Sequence, residues 1–426
     1  MANDIDTNDR EVFQLHIGSA GVEIGHRCWE LYCLEHNLAI DGNIINKTEQ
    51  NIPPVCFFSE KNDNNYRPRT LFIDSHSSTI DKIKSSKYRN LYTDDQFHLI
   101  TNSYETILDK IRKQIENYEN FQGFIISHAT YGRCSNFTSE LLQKLTSDYP
   151  TKSIVTNSVF DSSIDVSSMY NLLKYAHVVI PMENKAIFNL CKHRLEIDTP
   201  TYTNMNRLIA MCWSHITCSM RFKGCLLADL NEFQTALIPF PNLKMLSSFL
   251  APLIPFSYST NIDFKSPSVY DMCVPLFSQN HTCFIQQSTP YKSILATSLL
   301  FRGENIIPKE IGQKLIIDMK KWWRFSNSSP TGFKCGINYC RPYIFNNESD
   351  LAWTDKQVCA ITNETTTSKH LCEIGLNQFD ESSKEQNKSV EHIEAFDYLQ
   401  GLRKDYQELE REIINANELN LNTPFE

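Results

Sequence analysis

The sequence lacks long hydrophobic runs, a surplus of positive charge and a secretory leader pattern. Its longest apolar stretches, around 178–182 and 249–256, fall far short of the roughly 20 residues that a membrane-spanning helix needs. The 41 basic residues are outnumbered by 50 acidic ones, for a net charge of −9, which argues against general nucleic-acid binding. We therefore expect neither a membrane nor a nucleic acid among the partners.

The sequence also lacks a C-x-x-C pair, although it contains 14 cysteines between Cys28 and Cys372. Scattered thiols behind a polar, acidic N-terminus predict a reduced, cytoplasmic protein. Cys28, Cys33 and His36 could suggest a metal site, but helical spacing spreads them over more than one direction. The packed face of a helix explains these three residues better.

The segment 12–42 carries the clearest local pattern. The apolar run Val12–Ile17 predicts a buried strand, and Gly18, Gly21 and Gly25 then lead into a helical pattern. A strand, a glycine turn and a helix can point backbone N–H groups at a phosphate. The same glycines can instead permit tight packing, and the pattern alone favours that explanation.

Strands and helices alternate up to about residue 220, which predicts a parallel sheet with covering helices. The chain is long enough, at 426 residues, for two or three domains. The expected strands are 71–73, 123–127 and 178–180, and the expected helices are 107–118, 137–145 and 204–222. Asn136 is the expected N-cap of the second of these helices.

The pattern changes after residue 225, where prolines interrupt the chain and a second, mixed domain begins. Its expected strands are 293–301, 332–339 and 357–361. Residues 368–389 are polar and read as irregular. A helical stripe follows, with charged residues opposite, and it consists of Val390, Ile393, Phe396, Leu399 and Leu402.

Read letter by letter, the opening segment closely resembles the start of alpha-tubulin, and the similarity extends over nearly the whole chain. The strongest further blocks are TPTYTNMNRLI at 199–209, ADLNEFQTALIPFP at 228–241, PTGFKCGINY at 330–339 and LRKDYQEL at 402–409. TYTNMNRLI and an acidic residue in DLNEF favour the alpha type over the beta type.

The resemblance implies an α/β fold with a Rossmann-like, parallel-sheet GTP-binding domain, a second mixed α/β domain and a C-terminal helical surface. The expected divisions are a polar extension (1–10), the GTPase-type domain (11–203), a central helix (204–223), the second domain (224–365), and C-terminal helices with a short tail (366–426). The family forms alpha–beta heterodimers that stack into microtubules in the cytoplasmic cytoskeleton. Beta-tubulin and the microtubule lattice are therefore the expected partners.

The resemblance implies a purine site at Tyr202, Asn184 and Asn206. Tyr202 suits stacking on the base, and the two amides suit contacts with the base edge. Without the family, the residues favour a simpler explanation, in which Tyr202 packs at a helix start and the amides cap turns.

The chain departs from the family at the phosphates. The family's phosphate loop is G-G-G-T-G-S-G, whereas residues 127–139 read SHATYGRCSNFTS and keep only Gly132. Tyr131, Arg133 and Cys134 bring Cβ atoms into a space where glycines let backbone N–H groups approach phosphate oxygens. The family's ribose glutamate appears as Ser168.

The opening turn shows a related loss. Gly18, Ser19 and Ala20 are expected to contact the nucleotide, but Ser19 stands where the family has a phosphate-reaching glutamine. Asp74 remains as a weak Mg²⁺ ligand, while His76 replaces an acidic residue and Mg²⁺ prefers hard oxygen ligands.

Arg133 could compensate, because arginine binds phosphate in a bidentate manner, or it could be a solvated loop residue. We expect the site to accommodate guanine, to bind GTP weakly or not at all, and to be non-hydrolysing.

Glu232 matches the acidic residue that, in alpha-tubulins, completes the GTP site of the neighbouring beta subunit and positions the attacking water. Carboxylates suit that role because positioning dominates phosphoryl transfer. Without the family, an acid in a helix's first turn is explained by the helix dipole. Asp229 suits a capping role.

The chain ends in NELNLNTPFE rather than a glutamate-rich tail, so we expect it to lack the acidic tail that binds basic motor and accessory proteins in the family. Lys47 matches the family's inner-face lysine loop, and its acetylation is an open hypothesis. The main prediction is a microtubule subunit that pairs with beta-tubulin. The alternative is a regulatory pseudo-tubulin that binds tubulin or caps ends without polymerising.

Overall fold

The computed structural model describes most of the chain. Its description covers residues 10–45, 55–62, 64–100, 104–162, 164–222, 224–260, 267–278, 282–286, 292–304, 306–315, 319, 323–326, 333–345, 351–352, 354–382 and 390–422. The extension at 1–9, Lys47 and the last residues, 423–426, lie outside the described residues.

The first half of the chain forms a parallel sheet. Its described strands are β1 (Glu11–Ile17), β2 (Phe58–Asn62), β3 (Asn65–Pro68), β4 (Thr70–Asp74), β5 (Phe97–Leu99), β6 (Phe121–Ala129), β7 (Ser153–Phe160) and β8 (Val178–Glu183). The sheet order is β5-β4-β1-β6-β7-β8, with every neighbouring pair parallel, while β2 and β3 pair separately as an antiparallel hairpin. The predicted parallel α/β domain is confirmed.

Helices cover the faces of this sheet. They are α1 (Gly18–Glu35), α2 (Ser77–Lys84), α3 (Glu105–Ile115), α4 (Ser135–Asp148), α5 (Val166–Tyr175), α6 (Asn184–His193), α7 (Tyr202–Ile216) and α8 (Cys218–Arg221). Helix α3 is amphipathic and buries Ile107, Leu108 and Ile111, at the spacing that places them on one face. Every residue of α7 from Met205 onward is buried, because α7 packs between α1 and the second sheet.

Two expectations for these helices were wrong in detail. Asn136 is not the N-cap of α4, because that helix begins at Ser135, directly after a turn at Gly132. The Ser135 hydroxyl donates a 2.8 Å hydrogen bond to the Gly132 carbonyl and so fixes the earlier start. The long central helix is also interrupted, because α7 ends at Ile216 and the short α8 continues the chain.

The second half of the chain contains a mixed sheet. Its elements are α9 (Leu230–Leu237), β9 (Ser247–Ala251), α10 (Val269–Ser278), β10 (Lys292–Gly303), α11 (Pro308–Glu310), β11 (Trp323–Phe325), β12 (Phe333–Asn338) and β13 (Lys356–Glu364). Strand β13 pairs antiparallel with β10 and β9, whereas β11 and β12 both pair parallel with β10. The three predicted strands are all present.

Two C-terminal helices, α12 (Thr365–Ser382) and α13 (Val390–Asn422), pack against each other. The expectation of an irregular segment at 368–389 was therefore wrong up to Ser382. Leu371, Cys372 and Leu376 are buried on α12, and their polar neighbours obscured this short apolar face. The stripe on α13 is only partly buried, because Leu399 and Leu402 are covered while Val390 and Ile393 are 73% and 49% exposed.

A buried ion cluster joins the two sheets' domains. Glu35, at the end of α1, accepts hydrogen bonds from Arg302 on β10 at 2.7 Å and from Arg221 on α8 at 2.5 Å. Burial alone would raise the pKa of the Glu35 carboxyl, but the two arginines lower it to about 2. The cluster ties the first domain, the central helices and the second sheet together.

Within the described residues, no helix combines the length and apolar character that crossing a membrane requires. No three His, Cys, Asp or Glu side chains in the same part of the chain come together as a metal-binding group. Cys28, Cys33 and His36 are buried, and the His36 ring stacks on Phe222.

Candidate nucleotide-binding site

A cavity of about 420 Å³ opens at the carboxyl ends of the parallel strands. It lies between β1 and β6, whose following connections lead to opposite sides of the sheet, which is where open α/β sheets bind ligands. The sequence-predicted residues that line it are Gly18, Ser19, Ala20, Asp74, Gly132, Arg133, Asn184, Tyr202 and Asn206. Apart from Glu232, every predicted site residue therefore converges on one cavity.

Tyr202 is the first residue of α7 and is 68% exposed. The helix start is capped by its neighbours, since Thr201 accepts a hydrogen bond from the backbone of Asn204 and Asn204 reaches back to Thr201. Tyr202 thus does not pack at the helix start, as the simpler explanation required. Its ring is available for stacking on a flat ligand.

Both amides line the cavity, and the part lined by Asn184, Asn206 and Tyr202 is called here the base end. Asn184 Nδ2 donates to Tyr131 Oη at 2.9 Å and to the Asp161 carboxylate at 3.3 Å. Asn206 is buried and donates from Nδ2 to Glu23 Oε2 at 3.3 Å. Neither amide caps a helix, so their alignment along the cavity is a tertiary arrangement.

Sequence reasoning missed the roles of Glu23 and Tyr131 at the base end. Glu23 also pairs with Lys82, at 3.1 Å. A signal was present, because Glu23 follows Ser19 and Ala20 by one helical turn on α1 and so shares their face. No local pattern could place Tyr131, because its hydroxyl meets Asn184 only through the packing of β6 beside β7 and β8.

The glycines of the opening segment divide into two kinds. Gly18 has φ +71°, in the left-handed region, at the turn from β1 into α1. Gly21 and Gly25 serve close packing, because a Cβ would lie 2.2 Å from the Ser127 carbonyl oxygen and 2.2 Å from the His16 ring, respectively. Burial lowers the pKa of His16 to about 3, so its neutral ring accepts a hydrogen bond from Trp29.

The part of the cavity lined by Gly132, Arg133 and Cys134 of the β6–α4 loop is called here the phosphate end. Gly132 has φ +84° and an open space beside its Cα. Cys134 fills the neighbouring space, since a Cβ on Gly18 would lie 3.2 Å from that of Cys134. Burial raises the pKa of the Cys134 thiol, so it stays protonated. Of the three side chains predicted to enter the phosphate space, Cys134 does so, whereas Arg133 is exposed at its mouth and the Tyr131 hydroxyl contacts Asn184.

Asp74 does not fit a magnesium site. It is 1% exposed, and its Oδ2 accepts a hydrogen bond from Ser19 Oγ at 3.0 Å. Its Oδ1 accepts from the backbone N–H of His76 at 3.2 Å. Both oxygens serve protein donors, and the other carboxylate in the described cavity lining, that of Glu23, pairs with Lys82 at 3.1 Å. The hard oxygen ligands that Mg²⁺ prefers are therefore already engaged with protein groups.

Arg133 is exposed at the mouth of the phosphate end, with Nη1 3.4 Å from His76 Nε2. Helices α1 and α4 begin at this end, and neither start has a side-chain cap hydrogen bond. Their first N–H groups supply partial positive charge. Ser168 lies elsewhere, because it is buried and donates its hydroxyl hydrogen to Asp165 at the start of α5.

Glu232 lies near the amino ends of the strands, opposite the carboxyl ends where the cavity opens. It is in the first turn of α9, where the helix contacts the amino ends of the strands through Leu230 N–Gln122 Oε1 at 3.0 Å. Glu232 Oε2 accepts a 3.0 Å hydrogen bond from the Ala228 N–H, and Asp229 caps the helix by accepting from Glu232 N at 2.8 Å. The capping prediction for Asp229 is confirmed, and Glu232 has a local structural contact.

Comparison with known proteins agrees with this arrangement. Residues 11–192 match the tubulin/FtsZ family GTPase domain, and residues 241–375 match the tubulin C-terminal domain. The chain belongs to the tubulin family. Most of the cavity lining lies within the matched GTPase domain, whereas Tyr202 and Asn206 lie just beyond it. Binding of GTP is a property of that domain.

Similar proteins over nearly the full length are alpha-tubulins. The chain is 36% identical to the nucleomorph tubulin alpha chain of Guillardia theta, over 94% of this chain and 97% of that protein. It is 33% identical to tubulin alpha-8 of Caenorhabditis elegans, over 97% and 99%, and 32% identical to tubulin alpha-2 of Eleusine indica, over 96% and 99%. This tubulin-family chain is thus a divergent alpha type, as its sequence blocks predicted.

Proposed function

We propose that this chain is an alpha-type microtubule subunit that pairs head-to-tail with a beta-tubulin. The observation that carries the proposal is that the cavity and Glu232 lie at opposite ends of the strands of one parallel sheet. A protein with a ligand site at one end and a reacting group at the other can use both only in a head-to-tail stack. The cytoskeleton is then its place of action.

In this proposal Glu232 acts in trans on the GTP of the partner. Its position at the amino ends of the strands separates it from the chain's own cavity. An ionised carboxylate can accept a hydrogen bond from the attacking water and orient it toward a phosphate. The contact with Ala228 engages Oε2 and fixes the direction of the side chain, which favours a positioning role.

The chain's own cavity accommodates a guanine nucleotide without hydrolysing it. The base end offers an exposed aromatic ring and polar groups at the expected places, namely Tyr202, Asn184 and Asn206. The phosphate end lacks the glycine-lined loop and the metal site that a triphosphate requires. We therefore infer that any triphosphate is held weakly.

Co-sedimentation tests the structural role. The tagged full-length chain is assembled with beta-tubulin, and its position is imaged along the polymers. We expect incorporation along the whole lattice at a ratio set by its share of the alpha subunits. Binding confined to polymer ends, or none in the pellet, contradicts a lattice role.

The eroded phosphate end favours one second candidate, a regulator that binds beta-tubulin without polymerising. Cys134 and Arg133 stand where a subunit needs a phosphate loop, and a sequestering protein needs no nucleotide turnover. This candidate predicts inhibition of assembly that rises with the concentration of the chain. Unaltered assembly kinetics at equal incorporation argue against it.

A further inference from the structure

The phosphate end of the cavity carries positive charge that belongs to the protein itself. The Arg133 guanidinium lies at its mouth, and the uncapped starts of α1 and α4 face it. Arginine donates two parallel hydrogen bonds to a phosphate, and helix N-termini attract anions. These three features together form an anion site that requires no metal ion.

The phosphate end of the cavity is unfavourable for a divalent cation. A Mg²⁺ ion at Asp74 would have to replace the hydrogen bonds from Ser19 Oγ and from the His76 N–H. It would also lie close to the guanidinium that contacts His76. The Mg²⁺ ion and the guanidinium would repel each other, because two positive charges interact strongly at short range in a partly enclosed site.

We propose that this cavity binds guanosine diphosphate without a divalent cation, with Arg133 neutralising the phosphates in place of the metal. The inference rests on the proposed guanine pocket and adds its charge balance. One guanidinium and two helix ends match the charge of a diphosphate better than that of a triphosphate. The site then acts as a structural site that holds a diphosphate.

The chain offers substitutions that leave the fold intact. Arg133 is exposed, so its replacement by alanine removes the guanidinium without opening a core. His76 is the N-cap of α2 and makes no side-chain cap hydrogen bond. Aspartate is a preferred N-cap residue, so His76→Asp places a second carboxylate beside Asp74 at no cost in helix stability.

The test measures GDP binding to this chain separately from binding to its beta-tubulin partner. Radiolabelled GDP is cross-linked by ultraviolet light to the tagged full-length chain in its beta-tubulin complex, and electrophoresis separates the two subunits. Labelling is titrated in magnesium chloride and in EDTA, with unlabelled guanosine as a competitor that lacks phosphates. We expect GDP affinity to be equal in both buffers and to fall about tenfold or more in Arg133→Ala. The inhibition constant of guanosine, which lacks phosphates, stays unchanged in that variant.

His76→Asp supplies the converse result, because magnesium should now strengthen GDP binding. The inference is overturned if EDTA releases GDP from the unmodified chain, or if Arg133→Ala binds GDP as the unmodified chain does. The guanine pocket fails separately: guanosine then does not compete in any variant, or Tyr202→Ala labels normally. Each outcome thus identifies which of the two statements is wrong.

Discussion

Ser19 Oγ donates a 3.0 Å hydrogen bond to Asp74 Oδ2 and joins the start of α1 to the end of β4. The serine stands where the family resemblance implies a glutamine that reaches the phosphates. Here the hydroxyl satisfies a carboxylate of the chain itself. The polar groups of the phosphate end are thus engaged with one another, while Tyr202 at the base end is exposed.

The exposed ring of Tyr202 leads to the first prediction. Base–aromatic stacking contributes roughly 1–3 kcal/mol, so Tyr202→Ala should weaken guanosine binding about tenfold, while Tyr202→Phe keeps the stacking surface and the affinity. Competition against a labelled guanine nucleotide measures both. Phe188→Ala is the control, because Phe188 is another exposed aromatic, on α6, outside the cavity lining. Equal loss in the control variant indicates a general defect.

The carboxylate of Glu232 leads to the second prediction. Glu232→Gln keeps an oxygen that can accept from the Ala228 N–H but removes the charge, whereas Glu232→Ala removes both. Assembled with beta-tubulin, both variants should slow phosphate release from the polymer, by roughly 100-fold. Only alanine should also lose the hydrogen bond from the Ala228 N–H, which should lower stability by about 0.5–1.5 kcal/mol. Normal hydrolysis with the glutamine variant excludes the catalytic role and leaves the capping contact.

The buried cluster of Glu35, Arg221 and Arg302 leads to the third prediction. Glu35→Gln leaves two buried guanidinium groups without their counter-charge and should cost about 3–5 kcal/mol. Glu304→Gln is the matched control, because its partner Arg341 is exposed and such surface pairs contribute about 0–1 kcal/mol. Urea unfolding midpoints compare the two variants. Similar midpoints would mean that the cluster adds little.

The same cluster gives a pH dependence. The folded-state pKa of Glu35, about 2, lies below its usual value of 4.5. The unfolded state therefore binds the proton more tightly, and the contribution to stability is complete above about pH 4.5 and is lost as pH falls toward 2. The stability difference between the unmodified chain and Glu35→Gln should be constant near neutrality and shrink below pH 4.5. A difference that grows on acidification contradicts this sign.

Two helical glycines give the fourth prediction. A Cβ at Gly21 would lie 2.2 Å from the Ser127 carbonyl oxygen, so Gly21→Ala must push α1 away from β6. We expect a loss of about 1–3 kcal/mol. Gly401, on α13, has nothing within 4 Å of its Cβ position, so Gly401→Ala should stabilise the helix by roughly 0.5–1 kcal/mol. Thermal unfolding of both variants should shift in opposite directions.

Much of the fold follows from short-range patterns. The buried strand before Gly18, the glycine turn and the amphipathic spacing of α3 depend on neighbours within one or two helical turns, so a single sequence reveals them. The short apolar face of α12 was missed because it consists of only Leu371, Cys372 and Leu376. The polar residues around them hide the helical periodicity. The predicted stripe on α13 was right in period, but Val390 and Ile393 are exposed whereas Leu399 and Leu402 are buried.

The sequence by itself determined the alternation of strands and helices, the family blocks and the replacement of a glycine loop by Tyr131, Arg133 and Cys134. Only the tertiary structure decided that Tyr131 contacts Asn184 and that Ser19 donates a hydrogen bond to Asp74. It also decided that Glu232 lies near the amino ends of the strands, opposite the cavity. Local periodicity and sterics act between residues close along the chain. The order of parallel strands instead brings distant residues together, and that order is set by the packing of the whole sheet.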